Sequence, residues 1–485
     1  MRQYGGIKQM YELRNVDENL QHEFEKLPLD YWDFKYEDTK ELTHGLHNYP
    51  AVMVYPISRN IISIVKKYQN IKTLLDPFMG SGTVLVEGKL AGLKEVYGTD
   101  LNPLAILLAK VKTTVLDKNE LNKIVKTFKD RLEQLYEDYK ILLDDIYPYI
   151  ENKGLDVSES DGWGTDAYNI LREYFKTKNI SLNIPNFTNM GYWYKPHVIL
   201  ELQIIKNCIL NIEDKDFRDF FLVCFSETAR YVSNTRNGEF KMFRIDKSKI
   251  KDYNPNVKSE FYMVLDRNVT KMNDFYDRCN NNSCNVKITF EDTRKLNSVP
   301  DNSIDIVITS PPYGDSKTTV AYGQFSRPSL WWLDLKEYVS LEDINQIDNN
   351  LLGGKAVKGD FKCELPSETL KKALYEIKEK DLKRAKEVYS FYVDLDSCLC
   401  SISRKVKKNS YQFWVVGNRT VKEVKLLTDR IIAELGSQYG LKEVYDIPRN
   451  IPNKVMPSRN SPTNEPGKTV TTMTNEHILV LRKVE

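Results

Sequence analysis

The chain has 485 residues, 28% of them charged, and a formal net charge of +2. That length exceeds one ordinary core and predicts two or three domains, while the balanced charge neither requires nor excludes a polyanionic partner, which would need local basic patches. No stretch reaches the ~18 apolar residues of a membrane span, the start MRQYGGIKQMYELRN lacks the apolar run of a signal peptide, and seven cysteines without framework or finger spacing predict free thiols, no zinc site and a reducing, cytoplasmic setting.

Residues 1–45 show no strong period, and helical spacing begins at 57–69. A short apolar run at 71–75 leads into DPFMGSGT (76–83), and VLVEGKLAGL reads as a helix. Residues 94–100 read as a second strand ending in Asp100, and 103–116 as a second helix. Strand, glycine turn, helix, strand, acid and helix in that order make a βαβα unit. The pattern breaks over 117–285, where spacing is mostly helical, as at 120–146 and 197–210, and 213–243 passes from an apolar helix into a polar loop. It resumes with strands at 285–296 and 304–315, the latter running into Thr309-Ser310-Pro311-Pro312-Tyr313. A long helix at 367–390, a strand at 411–418, a helix at 421–435 and strand-like runs at 441–447 and 476–484 close the chain. The proline-, asparagine- and serine-rich stretch 447–468 reads as a loop. The run Arg404, Lys405, Lys407 and Lys408 reads as a solvated helix end. The expected fold is α/β, a doubly wound and mostly parallel sheet, in three parts: 1–116, a helical insert at 117–285, and 286–485.

Two turns carry the chemistry. Gly80 and Gly82 follow a buried strand and open a helix, which lets backbone approach a ligand without a Cβ clash. Asp76 ends the strand, and Asp100 ends the next one about twenty residues after the turn, where a carboxylate accepts from ribose hydroxyls in nucleotide-binding units. Asp100 could also cap the following helix, a role for which Asn102 competes. In the second turn, Pro311 and Pro312 remove N–H donors and fix φ. Carbonyls, the Ser310 hydroxyl and the Tyr313 ring then project past the sheet edge. That set suits an exocyclic amino group, whose lone pair is delocalised into a base. Acceptors on both N–H protons favour a tetrahedral nitrogen, and an aromatic face stacks on the ring.

DPFMGSGT resembles the S-adenosylmethionine-binding motif of amino-directed DNA methyltransferases, and TSPPY resembles their catalytic motif. The resemblance implies that Asp76, Phe78, Gly80, Gly82, Thr83 and Asp100 bind S-adenosylmethionine. Serine at the first catalytic position, here Ser310, is typical of the cytosine-N4 enzymes, and aspartate or asparagine of the adenine-N6 enzymes. HGLHNYPAVMVYP (44–56) is similar to the family's N-terminal cofactor motif. FEDTRKL (290–296) is similar to the strand end whose acid holds the adenine amino group, which gives that role to Asp292. WVVGNR (414–419) and EHILVLRK (476–483) resemble its closing strands. The substrate implied is double-stranded DNA, with a cognate restriction endonuclease as a partner the family allows, and 117–285 as the target-recognition region. A cytosine-C5 mechanism needs a cysteine after proline, and no Pro-Cys dipeptide occurs. A metal is unnecessary because the sulfonium is already activated. Arg236, Lys241 and Arg244, in the loop SNTRNGEFKMFR, are candidates for phosphates or base edges. Lys317, Tyr322, Arg327 and Trp331 follow the catalytic turn, in a segment placed to close over a flipped base, and Lys317 and Arg327 are further DNA-binding candidates.

Overall fold

Apolar runs buried on both faces build the inner strands of the sheet, as parallel strands require. The computed structural model describes residues 16–158, 160–238, 241–315, 318–451, 459–460, 470–471 and 475–484. The first part contains α1 (Tyr55–Lys66), β1 (Thr73–Asp76), α2 (Thr83–Leu90), β2 (Glu95–Asp100) and α3 (Pro103–Thr113). The insert contains α4 (Lys118–Asp138), α5 (Lys140–Asn152), α6 (Thr165–Thr177), α7 (Pro196–Leu210), α8 (Lys215–Tyr231) and α9 (Val257–Cys279). Then come β3 (Asn285–Phe290), β4 (Ile304–Thr309), α10 (Tyr322–Leu333), α11 (Glu368–Lys380), α12 (Leu382–Lys405) and β5 (Val406–Gly417). A hairpin of β6 (Arg419–Val421) and β7 (Val424–Leu426) precedes α13 (Thr428–Ser437), β8 (Leu441–Asn450) and β9 (Asn475–Lys483).

The seven-stranded sheet has the order β3-β2-β1-β4-β5-β9-β8. The first five strands are parallel, and β9 runs antiparallel to both β5 and β8. Strand order reverses between β1 and β4, and a sheet of this kind binds ligands at the carboxyl ends flanking that switch point. Both chemistry-bearing turns leave the sheet there. Alternate strand residues feed opposite faces. Leu75, Val307 and Trp414 pack with α11, α12 and α13, and Leu74, Ile306 and Phe413 pack with α1, α2 and Leu20, Phe24 and Trp32.

The insert is not a detached body. Leu104, Leu107, Leu108 and Val111 of α3 and Leu330, Trp332 and Leu333 of α10 share one apolar core with α4–α9. All seven cysteines are free.

Several local expectations are corrected. The helix expected over 120–146 divides at Tyr139 into α4 and α5. The long helix at 367–390 is two helices, because the Asp381 carboxylate accepts from the Arg384 amide at 2.9 Å and starts α12 afresh. That second helix runs on to Lys405. The helix expected over 421–435 opens instead as the β6–β7 hairpin, with Lys422 and Glu423 at positive φ, and α13 starts only at Thr428. Val421, Val424 and Leu426 are buried, so packing overrode the helix propensity of lysine and glutamate. The basic run does sit at a helix end with Arg404 and Lys408 exposed, but Lys405 is buried and paired with Asp301 at 2.6 Å, and Lys407 pairs with Asp305 at 2.6 Å, so only part of it is solvated. Within 447–468, β8 extends to Asn450, and Arg459–Asn460 pairs with Val470–Thr471.

Candidate active site

The first turn is closed at its glycine by near neighbours and at its strand end by β4. Asp76 accepts from the Phe78 amide at 3.2 Å and from the Thr309 hydroxyl at 2.7 Å, which ties β1 to β4 at the switch point. Gly80 takes φ 49°, and its amide donates to Asp100 at 3.0 Å. The other Asp100 oxygen accepts from the Asn102 amide at 2.8 Å. Burial raises Asp76 to about 7 and Asp100 to about 6. Asn102 is the cap of α3, accepting from the Leu104 amide at 3.1 Å and donating to Tyr49 at 3.0 Å and Ser326 at 2.7 Å. The capping and ligand-facing roles weighed for Asp100 are thus separated.

A cleft open to solvent lies over this turn. Asp76, Phe78, Gly80, Thr83, Asp100, Asp292 and Ser310 all border it. Gly82 does not. It takes φ 84°, and a Cβ there would come within 2.8 Å of the Ala109 Cβ, so this glycine serves the close approach of α2 to α3. Four carboxylates border the cleft, Asp76, Asp100, Glu291 and Asp292, and among the described residues no lysine or arginine does. Asp292 is less available than its motif implies. Its oxygens accept from the Arg294 Nε at 2.9 Å and Nη2 at 2.6 Å, and Arg294 is held in turn by Asp394 at 2.9 Å.

Tyr49 forms part of the cleft wall, and the insert holds the strap that carries it. The Asn48 amide donates to Glu227 of α8 at 2.9 Å, and Asn268 of α9 donates to the Leu46 carbonyl at 2.8 Å. HGLHNYP announced this strap as a motif. Nothing in the sequence announced its partners Glu227 and Asn268.

The second turn is held from far along the chain. The Ser310 hydroxyl donates to the Val415 carbonyl of β5 at 3.0 Å. The Tyr313 hydroxyl donates to Glu476 of β9 at 2.9 Å. Glu476 is ion-paired with Arg449, whose Nε donates to the Trp32 carbonyl at 2.8 Å. Pro312 borders the cleft beside Ser310, and Pro311 is buried behind it. Just past Tyr313, the buried Asp315 accepts from Arg384 at 2.8 Å and pairs with Arg419 at 3.5 Å. Of these partners, Val415, Arg419 and Glu476 lay in segments marked by the resemblance, whereas Arg384, Arg449 and Trp32 lay in stretches given no role at the site.

The candidate DNA residues do not form one patch around the cleft. Arg236 is half-exposed and paired with Asp246 at 2.7 Å. The Arg244 guanidinium lies 4.2 Å from the Tyr192 ring centroid. Lys241 and Arg236 border a small recess with Phe325 and Pro328 of α10. The segment after the catalytic turn is a packed helix rather than a closing loop. Its Trp331 stacks on Phe187 at 4.6 Å, Tyr322 borders the cofactor cleft, and Arg327 reaches the Asn345 carbonyl at 3.4 Å. Lys317 lies outside the described residues.

A switch-point cleft with an acid at each of three strand ends, a glycine turn and a Pro-Pro turn beside it fits a cationic nucleoside cofactor. The sulfonium and ammonium of S-adenosylmethionine give it a net positive charge, which the four carboxylates match, and the raised Asp76 and Asp100 mark a wall that lacks a counter-charge. This is the fold and site of an S-adenosylmethionine-dependent methyltransferase. No family model matches the chain. It is 43% identical to the type II methyltransferase M.MvaI of Kocuria varians, over 98% of this chain and 99% of that protein. It is 28% identical to the type II methyltransferase M.MjaII of Methanocaldococcus jannaschii, over 42% of this chain and 43% of the other. The rRNA methyltransferase AviRa of Streptomyces viridochromogenes superposes with a TM-score of 0.29 at 10% identity, over 90% of this chain and 88% of that one, too loosely to carry an argument. The chain belongs to the type II methyltransferases, DNA-modifying enzymes that take their methyl group from S-adenosylmethionine. No helix among the described residues is long and apolar enough to cross a membrane.

Proposed function

We propose that the chain methylates N4 of cytosine in a specific double-stranded DNA sequence, on a base flipped out of the helix, and serves as the modification partner of a restriction endonuclease. The observation that carries this reading is the direction of the Ser310 hydroxyl. Its hydrogen goes to the Val415 carbonyl at 3.0 Å, and the Tyr313 hydroxyl 3.3 Å away gives its own to Glu476, so Ser310 keeps lone pairs to meet a substrate. An acceptor is what an exocyclic N–H needs.

S-adenosylmethionine supplies a methyl group already activated on sulfonium. Ser310 and the Pro311 carbonyl accept from the two N–H protons, which favours the tetrahedral nitrogen whose lone pair attacks. On transfer the nitrogen–carbon bond would form as the carbon–sulfur bond breaks, sulfur would keep the electron pair, and the nitrogen would release one of its two N–H protons to solvent. Tyr313, anchored through its hydroxyl to Glu476, offers a ring for stacking on the flipped base, whose extrusion costs a few kcal/mol. Positioning supplies most of the rate. The insert, with Arg236, Lys241 and Arg244, takes part in sequence recognition, and Asp100 takes the ribose.

The test is to methylate unmodified DNA with the purified protein and identify the modified nucleoside by mass spectrometry after digestion. N4-methylcytosine is expected. N6-methyladenine would overturn the choice of base, and absence of any methylated nucleoside would overturn the reading.

A further inference from the structure

Lys112 lies on α3, behind the glycine turn, and is 1% exposed. Its ammonium donates to the Ser81 hydroxyl at 3.0 Å. The acids of the surrounding layer are already committed. Glu87 of α2 holds His44 and Arg59, and Glu227 of α8 holds Arg267. Lys112 is therefore a buried amine whose one hydrogen-bond partner among the described residues is neutral; burial lowers it to about 7, offset in part by the Glu227 charge, so an anion brought to Ser81 would favour its protonated form.

Ser81 borders the cofactor cleft. Having accepted from Lys112, its oxygen keeps its own hydrogen to donate, and no acceptor for that hydrogen is present among the described residues. The one anionic group of S-adenosylmethionine is the carboxylate of its methionine end. Asp76, Asp100 and Glu291 repel a carboxylate from the strand-end side of the wall, where Asp292 is already paired with Arg294, which leaves the Ser81 side of the turn.

We propose that Lys112 is the buried counter-charge for the methionine carboxylate of the methyl donor, acting through the Ser81 hydroxyl as a positioning residue. The inference rests on the donor and not on the target base, so it stands apart from the choice of cytosine. The arrangement sorts the charges of the cofactor along the cleft, with its cationic groups toward the strand-end acids and its anionic group toward α3. It also gives the site a means of telling the intact donor from adenosine compounds without the carboxylate.

The test is calorimetric binding of two probes to the full chain. One is S-adenosylmethionine, and the other is its decarboxylated analogue, which keeps the sulfonium and the amine. Lys112→Met removes the charge and keeps the length, and Ser81→Ala removes the relay and leaves the lysine. Lys112→Met is expected to weaken S-adenosylmethionine about tenfold or more, in line with loss of a charge-assisted interaction, and to leave the analogue within about twofold. Ser81→Ala is expected to show the same selectivity at a smaller size, and it carries the test alone should Lys112→Met not fold. Equal weakening of both probes would overturn the proposal and reduce Lys112 to a prop of the turn. Unchanged binding of S-adenosylmethionine in a folded variant would overturn it too.

Discussion

The two turns that meet at the switch point are secured over very different lengths of chain. The glycine end of the first turn closes on Asp100, 20 residues away, with Asn102 completing the same local unit, and only its strand end reaches far, through Asp76 to Thr309 and Pro77 to Thr293. The catalytic turn closes on Arg384, Val415 and Glu476, between 69 and 163 residues away. A short βαβ unit can build a binding surface from its own sequence. A turn that must hold a base against a bound methyl group needs its atoms fixed by several strands at once. Damage to the first should therefore appear in cofactor affinity, and damage to the second in rate.

Ser310→Ala is the most severe test of that division. Single-turnover methyl transfer should fall about a hundredfold, on the scale of losing one preorganised transition-state hydrogen bond, with S-adenosylmethionine affinity unchanged. Wild-type turnover would leave TSPPY as no more than a rigid turn. Asp100→Ala should do the converse, weakening S-adenosylmethionine by about 1.5–3 kcal/mol as read by calorimetry. An unchanged affinity in the folded variant would remove Asp100 from the site.

A third test uses pH. Asp76 and Asp100 are raised to about 7 and about 6, so the free cleft carries protons in mildly acidic solution. The cationic groups of the donor favour the ionised acids, so binding releases those protons. Affinity should climb from pH 5 to pH 7, by at most about tenfold per unit for each proton released, and then stop climbing. A flat profile would mean that neither acid meets the cofactor's positive charge.

Tyr313→Phe sharpens the comparison at smaller scale. It keeps the ring and deletes only the bond to Glu476, so the rate should fall about fivefold, the worth of one hydrogen bond, while cofactor binding holds. A fall in cofactor affinity would show that the long-range latch also shapes the first turn. The smallest effect is expected at the insert. Arg236→Ala should weaken DNA binding a few-fold and lower the salt slope by about one without touching S-adenosylmethionine. Identical DNA affinity across salt concentrations would take that loop out of the interface.

The sequence by itself determined the parts whose causes are local. A buried run ending in DPFMGSGT dictates strand, left-handed glycine and helix, since only glycine takes φ 49° at Gly80 cheaply. The TSPPY turn at the end of IDIVIT was legible for the same reason, because proline fixes its own φ. Tertiary structure decided what depends on elements distant along the chain. It turned VKEVKL into a hairpin by burying Val421, Val424 and Leu426, and it packed Trp331 on Phe187 rather than over a base. It claimed Asp292 for Arg294 and assigned Gly82 to the approach of Ala109. It also left Lys112 buried in a layer whose acids, Glu87 and Glu227, hold other cations. Hydrogen-bond donors, acceptors and charges are properties of residues, but which of them are already spent is settled only when the chain brings their partners within 3 Å.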